Sequence, residues 1–162
     1  MKSEVEHRFV RLGHRRKAMF WDDAIELVPR EFYGPDRRVG YRRCLVFDIV
    51  RAEDGRLAGE IALRIGDSDR QFYLGHIGYH IDPPYRGHSY ALRACMLCLP
   101  VFVALGERSL VITTDPDNAP SIRTCEHLGC EYECTVDVPE AIRRALEISP
   151  VKRRYVLTIA ED

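Results

Sequence analysis

The middle of the chain alternates between apolar runs and turn residues. Two apolar runs, 43–51 and 57–65, flank the turn Asp54-Gly55, a pattern that predicts an antiparallel hairpin. The pattern from 72 to 81 predicts a third strand of the same meander. A long apolar run then extends to Ala104, which predicts a helix that begins near Ala91.

The C-terminal third has clear start and stop signals. Asn118 is suited to cap a helix, Pro120 suits its first turn, and Gly129 suits its end. The pattern before this helix predicts a strand over 109–114. The pattern after it predicts a strand over 130–136, a short helix over 139–148 and a closing strand over 153–159.

The N-terminal forty residues are patterned less regularly. Residues 6–12 alternate well enough to predict a first strand, and 15–28 carry apolar residues at near-helical spacing, which predicts a helix. Residues 29–40 contain two prolines, two glycines and several charges, which predicts a loop.

Between the third strand and the long helix lies a short polar loop, Arg86-Gly-His-Ser-Tyr-Ala91. The first turn of a helix has amide groups without internal partners and carries positive partial charge. A strand, a loop and a helix in this order therefore predict an anion site at the helix start. An ordinary connection between a strand and a helix is the alternative.

Composition narrows the class of protein. A chain of 162 residues with 46% apolar residues suits one domain over 1–162 with a sizeable core. The N-terminus is charged and no run of about 18 apolar residues occurs, so we expect a cytoplasmic protein without a membrane partner. A net charge of −1 argues against nucleic acid as the main partner.

The six cysteines do not require disulfides in a chain of this length, and we expect reduced thiols. Cys95 and Cys98 have a metal-type spacing but lie in an apolar helical run without a second pair, so we predict no metal site.

Taken together, the order of elements and the two motifs R-G-H-S-Y-A and N-x-x-S resemble the GNAT N-acetyltransferases from about Leu45 to the C-terminus. The resemblance implies an α/β fold: a mixed, mostly antiparallel sheet of about seven strands, splayed after the fourth and flanked by helices. It also implies acetyl-CoA as co-substrate and acetyl transfer to a primary amine by direct attack in a ternary complex. We expect a small-molecule amine as the acceptor, and the oligomeric state stays open, with a homodimer as one option.

The resemblance assigns cofactor contacts residue by residue. The pantetheine arm would lie against backbone of Tyr79, His80 and Ile81, and the pyrophosphate on the loop after them. The loop and helix residues expected to contact the cofactor are Arg86, Gly87, His88, Ser89, Tyr90, Ala91, Asn118 and Ser121. Ser89 departs from the glycine usual in the family's loop, and its Cβ disfavours a positive φ.

Three residues are candidates for catalysis. His76 and Glu60 could each act as the base that frees the amine, with polar strand positions as the alternative. Cys125 stands where the family commonly has a Tyr that protonates the leaving thiolate; it could donate a proton or simply pack in the core. Backbone N–H groups from Tyr79 to Ile81 would meet the thioester oxyanion.

Two functions of other classes stay open. A non-catalytic acyl-CoA-binding or sensor module would explain the departures at Ser89 and Cys125. An antiparallel-sheet interaction protein without a cofactor is a further alternative.

Overall fold

The computed structural model describes residues 17–160 of the chain. Their strands form two antiparallel sheets. The first has five strands in sequence order: β1 (Phe20–Trp21), β2 (Ile25–Tyr33), β3 (Arg43–Arg51), β4 (Leu57–Ile65) and β5 (Ile77–Ile81). The second has three strands in the order β6 (Ser109–Thr114), β8 (Val151–Thr158) and β7 (Glu131–Asp137).

Four α-helices and one 3₁₀ turn connect these strands. The 3₁₀ turn, Pro83–Tyr85, follows β5. The helices are α1 (Asp69–Leu74), α2 (Tyr90–Ala104), α3 (Ala119–Leu128) and α4 (Glu140–Leu146). No helix within residues 17–160 is long and apolar enough to cross a membrane.

The core lies between one face of the first sheet and helix α2. Alternate residues of a strand point to opposite faces, and Phe47, Ile49, Ile61 and Leu63 are all fully buried on the same face. They share one apolar cluster with side chains of α2, including Phe102. The residues between them, such as Asp48 and Glu60, therefore point to the opposite face.

The predicted fold class is confirmed, and the pairings between the described strands are all antiparallel. The hairpin, the long helix and the elements from 109 to the C-terminus occur as predicted, with ends shifted by a few residues. The sheet parts after β5, the fifth strand of the described chain and not the fourth. The count differs because β1 and β2 precede the hairpin.

The prediction of a helix over 15–28 is wrong for the described residues, and the predicted loop over 29–40 begins only at residue 34. Residues 25–33 form β2, which pairs along β3 with Ile25 opposite Arg51 and Leu27 opposite Ile49. Burial of this strand beneath α2 outweighs the near-helical spacing of its apolar residues. Pro29 is accommodated because the register shifts just after it. The strand predicted over 6–12 lies outside the described residues.

The predicted strand over 72–81 is too long. Helix α1 occupies its first part, because the Ser68 hydroxyl accepts a hydrogen bond from the Gln71 N–H and caps the helix, and Gly75 ends it. Strand β5 then begins at Ile77. This short helix brings the chain to His76, where the two sheets meet.

Candidate active site

The two sheets meet at a single point and part beyond it. The His76 N–H donates to the Val111 carbonyl at 2.7 Å, and from Ile77 onward β5 belongs to the first sheet while β6 belongs to the second. A cavity of about 210 Å³ lies in this gap. Strands β4, β5, β6 and β8, helices α1 and α3 and the loop before α3 line it. The lining residues are Arg64, Leu74, Ile77, Gly78, Tyr79, Ile112, Thr113, Thr114, Asp115, Asn118, Ser121 and Lys152.

The free edge of β5 presents unpaired backbone groups to this gap. Arg64 N–H donates to the His76 carbonyl and Asp82 N–H to the Ala58 carbonyl, so the hydrogen-bonded pairs with β4 fall on even-numbered residues of this strand. The backbone groups of Tyr79 and Ile81 therefore point away from β4. By the same geometry, the backbone N–H and carbonyl of His80 point toward Glu60 on β4 and not into the gap. This differs from the expectation that the backbone of His80 contacts the cofactor.

The loop before α2 supplies a row of free amides. No hydrogen bond to a protein acceptor is found within residues 17–160 for the amides of residues 87–92, and the first donor with one is Arg93, to the Ser89 carbonyl at 3.0 Å. Gly87 has a φ of +87° and open space where a Cβ would be. These amides lie in the loop before α2 and in the first turn of this 15-residue helix, where an anion is favoured.

Two residues of this loop have conformations that bear on the site. Ser89 has φ 59° and ψ 27°, in the left-handed region, and its hydroxyl does not cap the helix. The Arg86 side chain donates from Nε to the Ile81 carbonyl at 2.9 Å, so it folds back and fixes the loop against the end of β5. His88 stacks on Tyr90 with ring centroids 5.3 Å apart, and Ala91 is the second residue of α2.

Helix α3 borders the gap on the other side. The Asn118 side chain caps it by accepting from the Ser121 N–H at 3.3 Å, as the sequence predicts. Ser121 Oγ lies 2.7 Å from the Tyr79 hydroxyl, a hydrogen bond that spans from α3 to β5. Burial raises the pKa of Tyr79, so its hydroxyl keeps its proton and can donate or accept a hydrogen bond.

Cys125 faces the core and not the gap. Its side chain is fully buried, and a hydrogen bond to the Cys130 thiol, together with burial, raises its pKa far above that of a free thiol. A thiol in this position does not reach a substrate, so the alternative of core packing is the one that fits the geometry. The expected proton donor at Cys125 has no structural support. Cys95 and Cys98 are likewise buried free thiols.

The His76 side chain links the two sheets by hydrogen bonds. Its Nδ1 accepts from the Val111 N–H at 2.8 Å, and its Nε2 donates to the Gly66 carbonyl at 3.0 Å. Burial lowers the pKa of this imidazole. Both ring nitrogens are used within the protein, so the expected role of His76 as a base does not fit this geometry.

Glu60 lies on the sheet face opposite the core, in a row of polar side chains. It is ion-paired with Arg30, which also binds Asp48, and it stands across from His80 on β5. The His80 ring contacts the Asp82 carboxylate at 3.2 Å. Glu60 has 37% of its side chain exposed, whereas Cys125 is fully buried.

The sequence analysis missed five polar residues of the cavity, of which Thr113 and Asp115 are two. Arg64, Thr114 and Lys152 come from strands that the sequence predicted, but no motif singles them out. The alternation of β4 offered one signal, because Arg64 shares a face with Ala62 and Glu60 near the middle of a sheet. The Tyr79 side chain was also missed, since only its backbone was expected to contact the cofactor.

Comparison with known proteins finds a matching family and solved structures with the same fold. The family described as "Acetyltransferase (GNAT) domain" matches residues 8–131. A search of curated proteins gives no match. Solved structures with the same fold are the microcin C7 self-immunity acetyltransferase MccE in complex with acetyl-CoA and AMP (20% identity, TM-score 0.56) and a GNAT-family acetyltransferase from Bacillus anthracis (21%, 0.57).

A third structure with this fold is the ribosomal-protein-S5-alanine acetyltransferase from Vibrio fischeri, at 19% identity and a TM-score of 0.56. The three alignments cover 72%, 72% and 73% of this chain, and 61%, 67% and 63% of the respective solved chains. At this identity the likeness describes the fold.

Proposed function

The chain belongs to the GNAT acetyltransferase domain family, and we propose that it transfers the acetyl group of acetyl-CoA to the primary amine of a small molecule. The observation that carries this proposal is the open edge of β5, which faces a cavity where the sheet parts. An extended, amide-bearing arm such as pantetheine can pair with such an edge, in the manner of an added strand.

The cofactor would bind along a line from α2 to the gap. The free amides of residues 87–92 would hold the pyrophosphate, helped by the positive end of the helix. The backbone groups of Tyr79 and the N–H of Ile81, whose carbonyl already accepts from Arg86, would pair with the pantetheine amides. Asn118 and Ser121 would border its other side.

Three groups near the gap have chemistry that fits acetyl transfer. The amine attacks the thioester carbonyl, so negative charge develops on the carbonyl oxygen, and the Tyr79 N–H on the open edge is placed to meet it. Glu60 is the candidate base on the far face of the sheet. The Tyr79 hydroxyl, held by Ser121, would donate a hydrogen bond to the departing sulfur in place of Cys125.

A non-catalytic acyl-CoA-binding module is the second candidate function. The observation that favours it is the buried position of Cys125, which leaves the family's usual proton donor absent from the site. This reading accounts for the same amides and the same gap, so only a reaction can separate the two.

Thiol release, followed with DTNB, is the direct test. Purified protein would be mixed with acetyl-CoA and a panel of amines that includes amino acids, polyamines and peptides beginning with Ala or Ser. We expect amine-dependent release for a small amine. The variant Y79F should bind CoA as the wild type does but turn over about tenfold more slowly, because it lacks one hydrogen bond of about 1.5 kcal/mol to a charged sulfur. CoA binding without release for any amine would favour the sensor module.

A further inference from the structure

The side chain of Arg64 lies within the cavity in an unusual setting. It stands on β4, and its guanidinium group packs against the backbone of Gly78 on β5. A Cβ built at Gly78 would lie only 2.5 Å from Nη2 and 3.0 Å from Nη1. Glycine at this position therefore leaves room for the guanidinium beside the open edge of β5.

This cation has no anionic partner. Its hydrogen bonds run from Nη1 to the carbonyls of Leu74 and Gly75, at 3.3 and 3.4 Å, which is long for such bonds. Arg64 makes no ion pair with a carboxylate within residues 17–160. Burial lowers the pKa of its guanidinium, and a buried cation of this kind is stabilised by an anion.

A second group in the same cavity also lacks a partner. Thr114 is only 2% exposed, and its hydroxyl makes no hydrogen bond to any described residue. The other cation of the cavity, Lys152, is already neutralised by Asp115 at 2.7 Å. The cavity thus holds one unused cation and one unused hydroxyl, which together suit a small anion with more than one oxygen.

The expected cofactor has no anionic group near Arg64 and Thr114. The acetyl group and pantetheine arm are uncharged, and the free amides that suit phosphates lie beyond Ile81, at the other end of β5 from Gly78. The group beside Gly78 is therefore expected to belong to the acceptor. A carboxylate there would put an amine on its neighbouring carbon next to the edge of β5 at Tyr79.

We propose that the acceptor is a free α-amino acid whose carboxylate binds the Arg64 guanidinium and the Thr114 hydroxyl. This inference rests on the proposed function. The amine lone pair forms the new C–N bond at the thioester carbonyl, the C–S bond breaks, the sulfur leaves as a thiolate, and the amine proton passes to a base or to water. A peptide N-terminus carries an amide in place of this carboxylate and does not fill the site.

Binding of the product side tests this without requiring turnover. CoA-saturated protein would be titrated calorimetrically with N-acetyl derivatives of the twenty amino acids and with their carboxamides. We expect at least one acid to bind about 10- to 100-fold more tightly than its own carboxamide, as for hydrogen bonds to charged groups. Equal affinity of every acid and its carboxamide, or no binding by any acid, overturns the proposal.

Variants then assign the effect to named side chains. Arg64→Gln should remove the preference for the acid, and Thr114→Val should reduce it severalfold. Arg56→Gln, at an exposed position in the turn between β3 and β4, is the matched control and should keep the preference. A preference that survives in both R64Q and T114V overturns the proposal. If R64Q does not fold, T114V and the wild-type comparison still decide.

Kinetics separate this inference from the proposed function. If the wild type acetylates amines but uses amino acids and their carboxamides equally well, the carboxylate site is wrong and the acetyltransferase stands. If no amine releases thiol while N-acetyl amino acids bind through Arg64, the site stands and the acetyltransferase fails.

Discussion

The two edges of strand β5 differ in a way that defines the site. Toward β4 the strand is paired along its whole length, from Leu63 opposite Ile77 to Gly59 opposite Ile81. Toward β6, within residues 17–160, the backbone of the strand makes no ladder, and the link is made just before β5 by the hydrogen bonds of His76 with Val111. One edge thus gives rigid support, and the other gives unpaired backbone groups at a fixed position. A binding edge in a sheet needs both.

The largest expected effect comes from disturbing the paired edge. A Cβ at Gly59 would lie 2.1 Å from the His80 carbonyl oxygen and 3.0 Å from the Ile81 Cα, both backbone atoms. Since neither can move without breaking the pairing of β4 and β5, we expect Gly59→Ala to lower the free energy of unfolding by about 3 kcal/mol. Urea denaturation measures it.

Gly78→Ala is the matched control for this substitution. Its Cβ would meet only the flexible end of Arg64. We expect a loss below about 1 kcal/mol, with the guanidinium displaced from the cavity and the preference for acids over carboxamides lost as in R64Q. Equal losses of stability in the two glycine variants would contradict the contrast between the edges.

The second effect concerns His76, whose side chain links the two sheets next to the open edge of β5. His76→Ala removes two hydrogen bonds and leaves the Val111 N–H without its acceptor, so we expect a loss of about 2–3 kcal/mol in the free energy of unfolding.

The same residue predicts a dependence on pH. Burial lowers the folded-state pKa of His76, so below the ordinary value of 6.5 the unfolded chain binds more protons than the native state. The contribution is fully present above about pH 6.5 and is lost as the pH falls toward the lowered pKa. We expect H76A to lack this acid-side loss, whereas H127N, altered at an exposed histidine of α3, retains it. An identical pH slope in the wild type and H76A would rule this out.

The smallest effect is expected in the loop before α2. Ser89 occupies the left-handed region at φ 59°, which costs a non-glycine residue about 1 kcal/mol. Ser89→Gly should relieve this strain, offset in part by the greater freedom of glycine in the unfolded chain. We expect affinity for CoA to change by less than about fivefold, upward, with calorimetry as the measurement. A marked loss of affinity would indicate that the Ser89 hydroxyl itself binds the cofactor.

The sequence predicted most of the fold from residue 43 onward, because turns such as Asp54-Gly55 and the Asn118 cap are local signals. It failed over 17–33, where the pairing of β2 with β3 decides the structure and no local residue indicates it. The free amides before α2 follow from the same local logic, and the sequence located that loop correctly.

The catalytic candidates could not be judged from sequence, because their roles depend on contacts across the fold. His76 is occupied by Val111 and Gly66, and Cys125 by Cys130. Alternation along β5 implies that every second residue turns its backbone N–H and carbonyl toward β4. Whether these are the odd- or the even-numbered residues is set by the backbone hydrogen bonds of Arg64 and Asp82. The interest of Arg64 depends on the absence of a carboxylate partner within residues 17–160, which only the structure shows.

The imidazole that joins the sheets also offers a spectroscopic reporter. Because Nδ1 accepts from Val111, the neutral ring must carry its proton on Nε2, so one tautomer is held in place. The nitrogen chemical shifts of this single histidine would therefore register any widening of the gap when a ligand enters. A change at His76 could be followed in solution without altering any residue that contacts the ligand.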